Sequence, residues 1–305
     1  MQSTHLFSFI FVLSILGSSV CKAQDCSLPP KTIKVDQSGQ GDFKTILSAI
    51  DSVPDKNSQW VHIQISAGIY KETVQISRDK TCIFLEGAGL NNTSIEWDNH
   101  ENTDESATFT SSADNFVAKD ITFKNTFSRP VLNSYNITPA LAAAVRGDKA
   151  AFYQCAFLGV QDTLLDDDGH HYFHKCHIQG AFDFIYGRGQ SIYEKTVIEY
   201  SLGKSGSTRD GGSITAHARE SPDDTSGYVF KNCTVTGKEG WNAWNVDDVG
   251  NLFYAEEGCR GAGADKSKRV PWLKHLNADE LKEFSNISYI DKEGWLAKLP
   301  FDPTI

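Results

Sequence analysis

The stretch "CAFLGVQD" from Cys155 to Asp162 returns as "CHIQGAFD" from Cys176 to Asp183, with cysteine, glycine and aspartate at matching places twenty-one residues apart. A chain that repeats at this length is one supersecondary unit stacked on itself, which leaves few folds open. Other short runs share the same centre: "KDITFKN", "YQCAFLG", "HKCHIQG", "EKTVIEY" and "KNCTVTG", the middle three spaced by 21 and then 20 residues. Between about Thr32 and Gly237 the runs are β-branched or alternating, as in "VHIQIS" and "TCIFLEG", and are broken by Gly, Asn and Asp. The expected fold is all-β, a right-handed parallel β-helix (solenoid) with short capping helices. "DFKTILSAIDSVP" (Asp42 to Pro54) reads as a helix over the N-terminal end of the solenoid, with Asp42 as its cap. "NADELKEFS" (Asn277 to Ser285) reads as a second helix near the C-terminus.

In a parallel solenoid, residues one coil apart sit above each other at about 4.8 Å. Cys155 then stacks on Cys176, Gly159 on Gly180 and Asp162 on Asp183. The cysteines come within reach of a disulfide if their Cβ bonds point the right way. Two carboxylates at that spacing cannot both ionise cheaply, so one is expected to keep its proton while the other is anionic. An acid and a nucleophile or base then coexist at one pH. Either aspartate alone would be an ordinary turn residue; stacked, with apolar "FDFIYG" around the second, they read as a catalytic pair.

Composition narrows the setting. With 29 Lys+Arg against 39 Asp+Glu the chain carries a net charge of -10, and "KSKR" at Lys266 to Arg269 is its one basic cluster, so no nucleic-acid partner is expected. Residues Leu6 to Leu16 are apolar and small residues lead to Ala23, which reads as a secretory signal peptide over residues 1–23 with one mature domain, 24–305. No later run is long and apolar enough for a membrane anchor. Export leaves six cysteines, Cys26, Cys82, Cys155, Cys176, Cys233 and Cys259, an even number that favours disulfides. Sequons stand at Asn91, Asn92, Asn136, Asn232 and Asn286. Cysteine and histidine spacings give no metal site. "DDD" (Asp166 to Asp168) reads as a solvated turn, and His170, His171 and His174 as surface or core histidines.

The same residues carry a resemblance. "GVQDTL" (Gly159 to Leu164), "GAFDFIYG" (Gly180 to Gly187), "GIYKE" (Gly68 to Glu72), "ITFKNT" (Ile121 to Thr126), "GWNAW" (Gly240 to Trp244) and the closing "GADKSKRVPWLKHL" and "DKEGWL" resemble the signature blocks of plant pectin methylesterases. The resemblance implies a secreted, cell-wall carboxylic ester hydrolase that removes methyl esters from galacturonate in pectin, without metal or cofactor. It implies Asp183 as nucleophile, Gln161 as hydrogen-bond donor to the oxyanion, and Asp162 as acid and then base. Because adjacent strand residues point oppositely, Gln161 beside Asp162 requires a turn or bulge. Thr103, in "TDESAT", matches a substrate-contact block, and Trp241 and Trp244 are candidate sugar platforms or core residues. Pectin is the expected partner, with a proteinaceous pectinesterase inhibitor as a candidate second one, and the chain is expected to be a monomer.

Two departures from the family pattern matter. Pro139, in "PALAA", stands where a second oxyanion-hole glutamine is usual, and one such donor is worth about 3 kcal/mol. An LGRPW-like block, whose arginine pairs with the nucleophilic carboxylate, is absent: Thr236, Gly237, Lys238 and Glu239 lead directly into "GWNAW". Arg188, Arg209 and Arg219 are the local cations. Reduced activity is therefore expected, and the alternative is a catalytically silent pectin-binding wall protein. A lyase or a polygalacturonase also suits a β-helix, but a glutamine beside the acidic pair favours ester chemistry over a glycosidic bond.

Overall fold

The computed structural model describes residues 25–101, 106–127, 137–201, 212–217, 219, 221, 224–237, 240–243, 249–274 and 276–303. The expected signal peptide, Thr103, Asn136, Arg209 and Trp244 lie outside these residues. Among the described residues the strands form three parallel sheets, of nine, seven and seven strands, which the chain visits in rotation. We call them sheets I, II and III. One coil runs Ala150–Tyr153, Ala156–Leu158 and Leu164–Asp166; the next runs His170–His174, His177–Gly180 and Ile185–Gly187. Ala150 pairs with His171 and His171 with Ser191, so the spacings of 21 and 20 residues are each one turn of a right-handed parallel β-helix.

The corner between sheets I and II explains why the aligned runs share a centre. Asp120, Gln154, Lys175, Lys195 and Asn232 all have left-handed backbone, with φ between 52° and 58°. One such residue per coil reverses the alternation of side chains, so the next residue turns inward. That inward column is Ile121, Cys155, Cys176, Thr196 and Cys233, all buried.

Cys155 and Cys176 are not joined; both are free and buried, which corrects the disulfide expected from their stacking. Stacked Cβ bonds run parallel at the coil spacing of about 4.8 Å, whereas a disulfide needs Cβ atoms about 3.8 Å apart and converging. Cys155 Sγ instead donates to Tyr153 O in its own coil at 3.5 Å, and the later positions donate to a carbonyl in the coil before: Cys176 Sγ to Phe152 O at 3.4 Å, Thr196 Oγ1 to Phe173 O at 3.2 Å, Cys233 Sγ to Tyr193 O at 3.2 Å and Cys259 Sγ to Phe230 O at 3.3 Å. Cysteine recurs here as a small buried donor, and threonine substitutes for it. Burial pushes the Cys176 thiol up to about 12, which leaves it protonated and able to donate.

Among the described residues the disulfide is Cys26–Cys82, with a Cα separation of 5.7 Å, and it ties the edge strand of sheet I, Ser27–Val35, to the start of Ile83–Glu86 two strands along, across 56 residues of sequence. Replacing both cysteines by alanine is expected to cost about 2–4 kcal/mol, read as a lower Tm that reductant no longer shifts.

Helix α1 (Ile46–Asp51) starts at Thr45, whose hydroxyl accepts from Ser48 N; Asp42 instead accepts from Lys34 N, so the cap is not the one expected. Glu72 completes the helix start by accepting from Ile46 N and Leu47 N at 2.9 and 3.0 Å. Helix α2 (Ala278–Ser285) begins with a capping box between Asn277 and Glu280. Beyond it, Ile290, Trp295 and Leu299 cover the outer face of sheet I against Trp60, Phe84, Val117 and Val229. Contacts along this tail descend through the coils, from Ser285 O with Lys231 Nζ, to Glu293 with Lys149, to Phe301 stacked on Phe84, and Lys298 reaches Asp25 at 2.9 Å.

The interior changes character along the stack. Phe152, Phe173, Tyr193, Phe230 and Trp241 stack ring on ring, with successive centroids 5.0, 4.6, 5.0 and 4.8 Å apart. Beside them Asp166 is fully buried and takes hydrogen bonds from His171 Nδ1 and Tyr193 OH, so the first residue of "DDD" is a core acceptor rather than a solvated turn. His171 is a core histidine and His170 a partly exposed one beside Asp148, as expected for bland roles.

Candidate active site

The corner between sheets II and III carries the two aspartates. Gln161 bridges Phe182 in the next coil, and Leu164 pairs with Ile185, so Asp162 lies one coil from Asp183 in direct register. Both residues have left-handed backbone, φ 56° and 44°, and both are half-buried. Equal backbone conformation at stacked positions sends the two side chains out of the corner in the same direction. The same conformation removes the strand alternation between Gln161 and Asp162, which is the turn their adjacency required.

Glycine sets up this corner. A Cβ on Gly180 would lie 2.1 Å from Phe184 Cβ, and one on Gly159 would lie 2.6 Å from Thr163 Oγ1. In each coil the fourth residue after the glycine folds over it, so the chain turns within a few residues and holds aspartate at the bend. Connections from sheet II to sheet III are short in these two coils, at 159–163 and 181–184, and far longer on either side, at 126–142 and 201–214.

The next coil completes the site. Thr215 pairs with Ile185, which puts Ser213 in register with Asp183, and Ser213 Oγ donates to Asp183 Oδ1. In the coil before, Ala140 N donates to Gln161 O at 3.2 Å, so "PALAA" stacks beneath the glutamine with Pro139 one residue outside that contact.

Residues 32–239 match the family described as Pectinesterase. The chain belongs to the pectinesterase family. "Probable pectinesterase 29" of Arabidopsis thaliana is 43% identical over 298 residues, covering 87% of this chain and 89% of that protein. "Probable pectinesterase 55" from the same plant is 42% identical over 303 residues, covering 89% and 92%. Among solved structures, pectin methylesterase from carrot superposes with a TM-score of 0.76 at 27% identity, over 92% of this chain and 98% of that one.

The family match ends at Glu239, immediately ahead of "GWNAW". Across that junction the coil order is kept: Gly227–Lys231 in sheet I, Thr234–Val235 in sheet II, Trp241–Ala243 in sheet III, then Tyr254–Glu257 in sheet I. Trp241 pairs with Thr215 one coil below, so "GWNA" takes the next sheet III position as a coil-for-coil replacement would.

Trp241 is not a sugar platform. Its indole is 3% exposed, with Phe230 at 4.8 Å on one side and Tyr254 at 5.2 Å on the other, so neither face is open to a ring. Its Nε1 donates to Glu256 Oε1 at 3.1 Å, and Glu256 forms a buried two-point ion pair with Arg269 at 2.9 and 3.1 Å. Arg269, read in the sequence only as part of a basic cluster, neutralises a carboxylate at the end of the stack. Arg188 lies near Asp167 at 3.4 Å and Asp168 at 3.8 Å, and Arg219 donates to Ser221 O and Ser226 O. The described sequon residues Asn91, Asn92, Asn232 and Asn286 are exposed. Among the described residues no helix is long and apolar enough to cross a membrane, and no group of three or more His, Cys, Asp or Glu is placed to hold a metal ion.

Proposed function

We propose that this chain hydrolyses the methyl esters of pectin to pectate and methanol. The observation that carries the reading is the stack of Asp162 on Asp183 at one left-handed corner, with Gln161 beside it. Asp183 as carboxylate attacks the ester carbonyl carbon, and Gln161 donates to the oxygen that becomes negative. Collapse expels methoxide, which takes the proton of Asp162 and leaves as methanol. Asp162, now a base, removes a proton from water; the hydroxide breaks the acyl bond, freeing the galacturonate carboxyl and restoring Asp183. In the same reading the mature chain is exported to the cell wall, works as a monomer on pectin, and has a proteinaceous pectinesterase inhibitor as its candidate protein partner.

Turnover is expected to be low, because the resemblance assigns an arginine to the nucleophilic carboxylate and that block is absent. Insertion of one LGRPW-containing coil after Gly237 is expected to raise methanol release from methylated homogalacturonan by about 10²–10³-fold, the usual worth of one such electrostatic group. Methanol release by the parent at the rate of the restored form would count against the weakening. Silence in both, with pectin still retained by the parent, would favour the catalytically silent wall protein.

A further inference from the structure

We infer that Ser213 is a positioning residue for the Asp183 carboxylate, an inference that rests on the nucleophilic role proposed above. The hydroxyl arrives from the coil after that of Asp183, thirty residues further along the chain, and two coils from the corner that carries Asp162 and Gln161. Its delivery is built into the backbone: Ile185 N donates to Ile214 O at 3.0 Å and Ile214 N to Gly240 O at 2.9 Å, which locks the segment after Ser213 between the coils on either side. The residue before it must be glycine, since a Cβ on Gly212 would lie 2.1 Å from Ala181 O. This close approach lowers Ser213 onto Asp183, and its Oγ donates to Oδ1.

The chemistry suits the place. An ionised carboxylate only accepts, and a serine hydroxyl has one hydrogen to give. With Oδ1 engaged by Ser213, the carboxylate is restrained about its terminal torsion, which is otherwise broad. Attack requires the nucleophile oriented at close range, so a restrained carboxylate spends more of its time in the reacting geometry. The hydroxyl touches neither the ester nor the leaving group in this arrangement; it acts through Asp183.

The test compares Ser213→Ala and Ser213→Thr with the parent. Loss of a hydrogen bond to a charged group is expected to lower kcat about tenfold to a hundredfold, with KM within about twofold, and threonine is expected to restore most of the loss. Carbodiimide labelling of Asp183 at one fixed pH, read by peptide mass spectrometry, is expected to run several-fold faster in Ser213→Ala, because the contact protecting Oδ1 is gone. Unchanged kcat, or unchanged labelling at Asp183, overturns the inference. Absence of methanol release from every variant, including the restored-coil form, overturns the esterase reading instead, and the labelling rate then still decides whether Ser213 holds that carboxylate.

Discussion

Asp183→Asn is expected to bring methanol release down by about four orders of magnitude or to the uncatalysed background, whichever is reached first, with the fold intact. An amide in place of the carboxylate has no anionic oxygen with which to form the acyl-enzyme, and removing a nucleophile leaves only the contribution of binding and of the oxyanion donor. The left-handed backbone at this position (φ 44°) tolerates asparagine better than most side chains, so the substitution separates chemistry from folding. Asp162→Asn is expected to fall less, since water can deliver the proton to methoxide. Methanol release is followed over hours on highly methylated pectin, with the restored-coil variant as background if the parent is slow. Equal rates for Asp183→Asn and parent would remove the stacked aspartates from the mechanism.

The largest expected loss of stability comes from a carboxylate outside the corner. Asp166→Ala leaves His171 and the Tyr193 hydroxyl without the acceptor they share in a fully buried site. Breaking a buried pair by removing one partner costs about 3–5 kcal/mol, equivalent to a Tm lower by roughly 10 °C for a domain of this size. The pH dependence has a definite sign. Burial favours neutral His171, but the charge and hydrogen bond of Asp166 outweigh it and hold the imidazole above its ordinary 6.5. A group raised in the folded state stabilises fully below its unfolded value and loses that contribution as pH rises through its folded one. The Tm gap between parent and Asp166→Ala is therefore expected to be widest just below pH 6.5 and to narrow as pH rises past the folded value. Thermal melts across that range check both size and direction; a constant small gap would mean that the pair is not charged.

Much of the fold was legible because a solenoid writes its period into the chain. The aligned runs "KDITFKN", "YQCAFLG", "HKCHIQG", "EKTVIEY" and "KNCTVTG" share a left-handed second residue and an inward third, which spacing alone exposes. The corner that carries Asp162 and Asp183 was legible for the same reason, since Gly159 and Gly180 mark equal bends. What failed was direction. Stacking says that Cys155 and Cys176 are neighbours but not that their thiols face backbone carbonyls, Tyr153 O two residues back for the first and Phe152 O twenty-four residues back for the second. Trp241 looked like a platform because its burial depends on which coil follows it, and the coil order past Gly237 cannot be read from local pattern. Ser213 was missed because "GGSITA" has no aspartate or glutamine to draw attention; only the register Ile185 to Thr215 brings it to Asp183. Asp42 failed as a cap because a distant backbone amide, that of Lys34, competes for its carboxylate.

The C-terminal tail has a consequence for how this solenoid can change length. It leaves the last coil at Ser285, crosses the outer face of sheet I and fastens at Asp25, so it spans the stack like a ruler laid along its side. Each coil adds about 4.8 Å to the distance, while an extended residue covers about 3.3 Å. Gaining or losing a coil therefore leaves the tail one or two residues short or slack, and its far end must shift its footing on Phe84 and Asp25. Coil number and tail length are two settings of one dimension, and neither can drift alone.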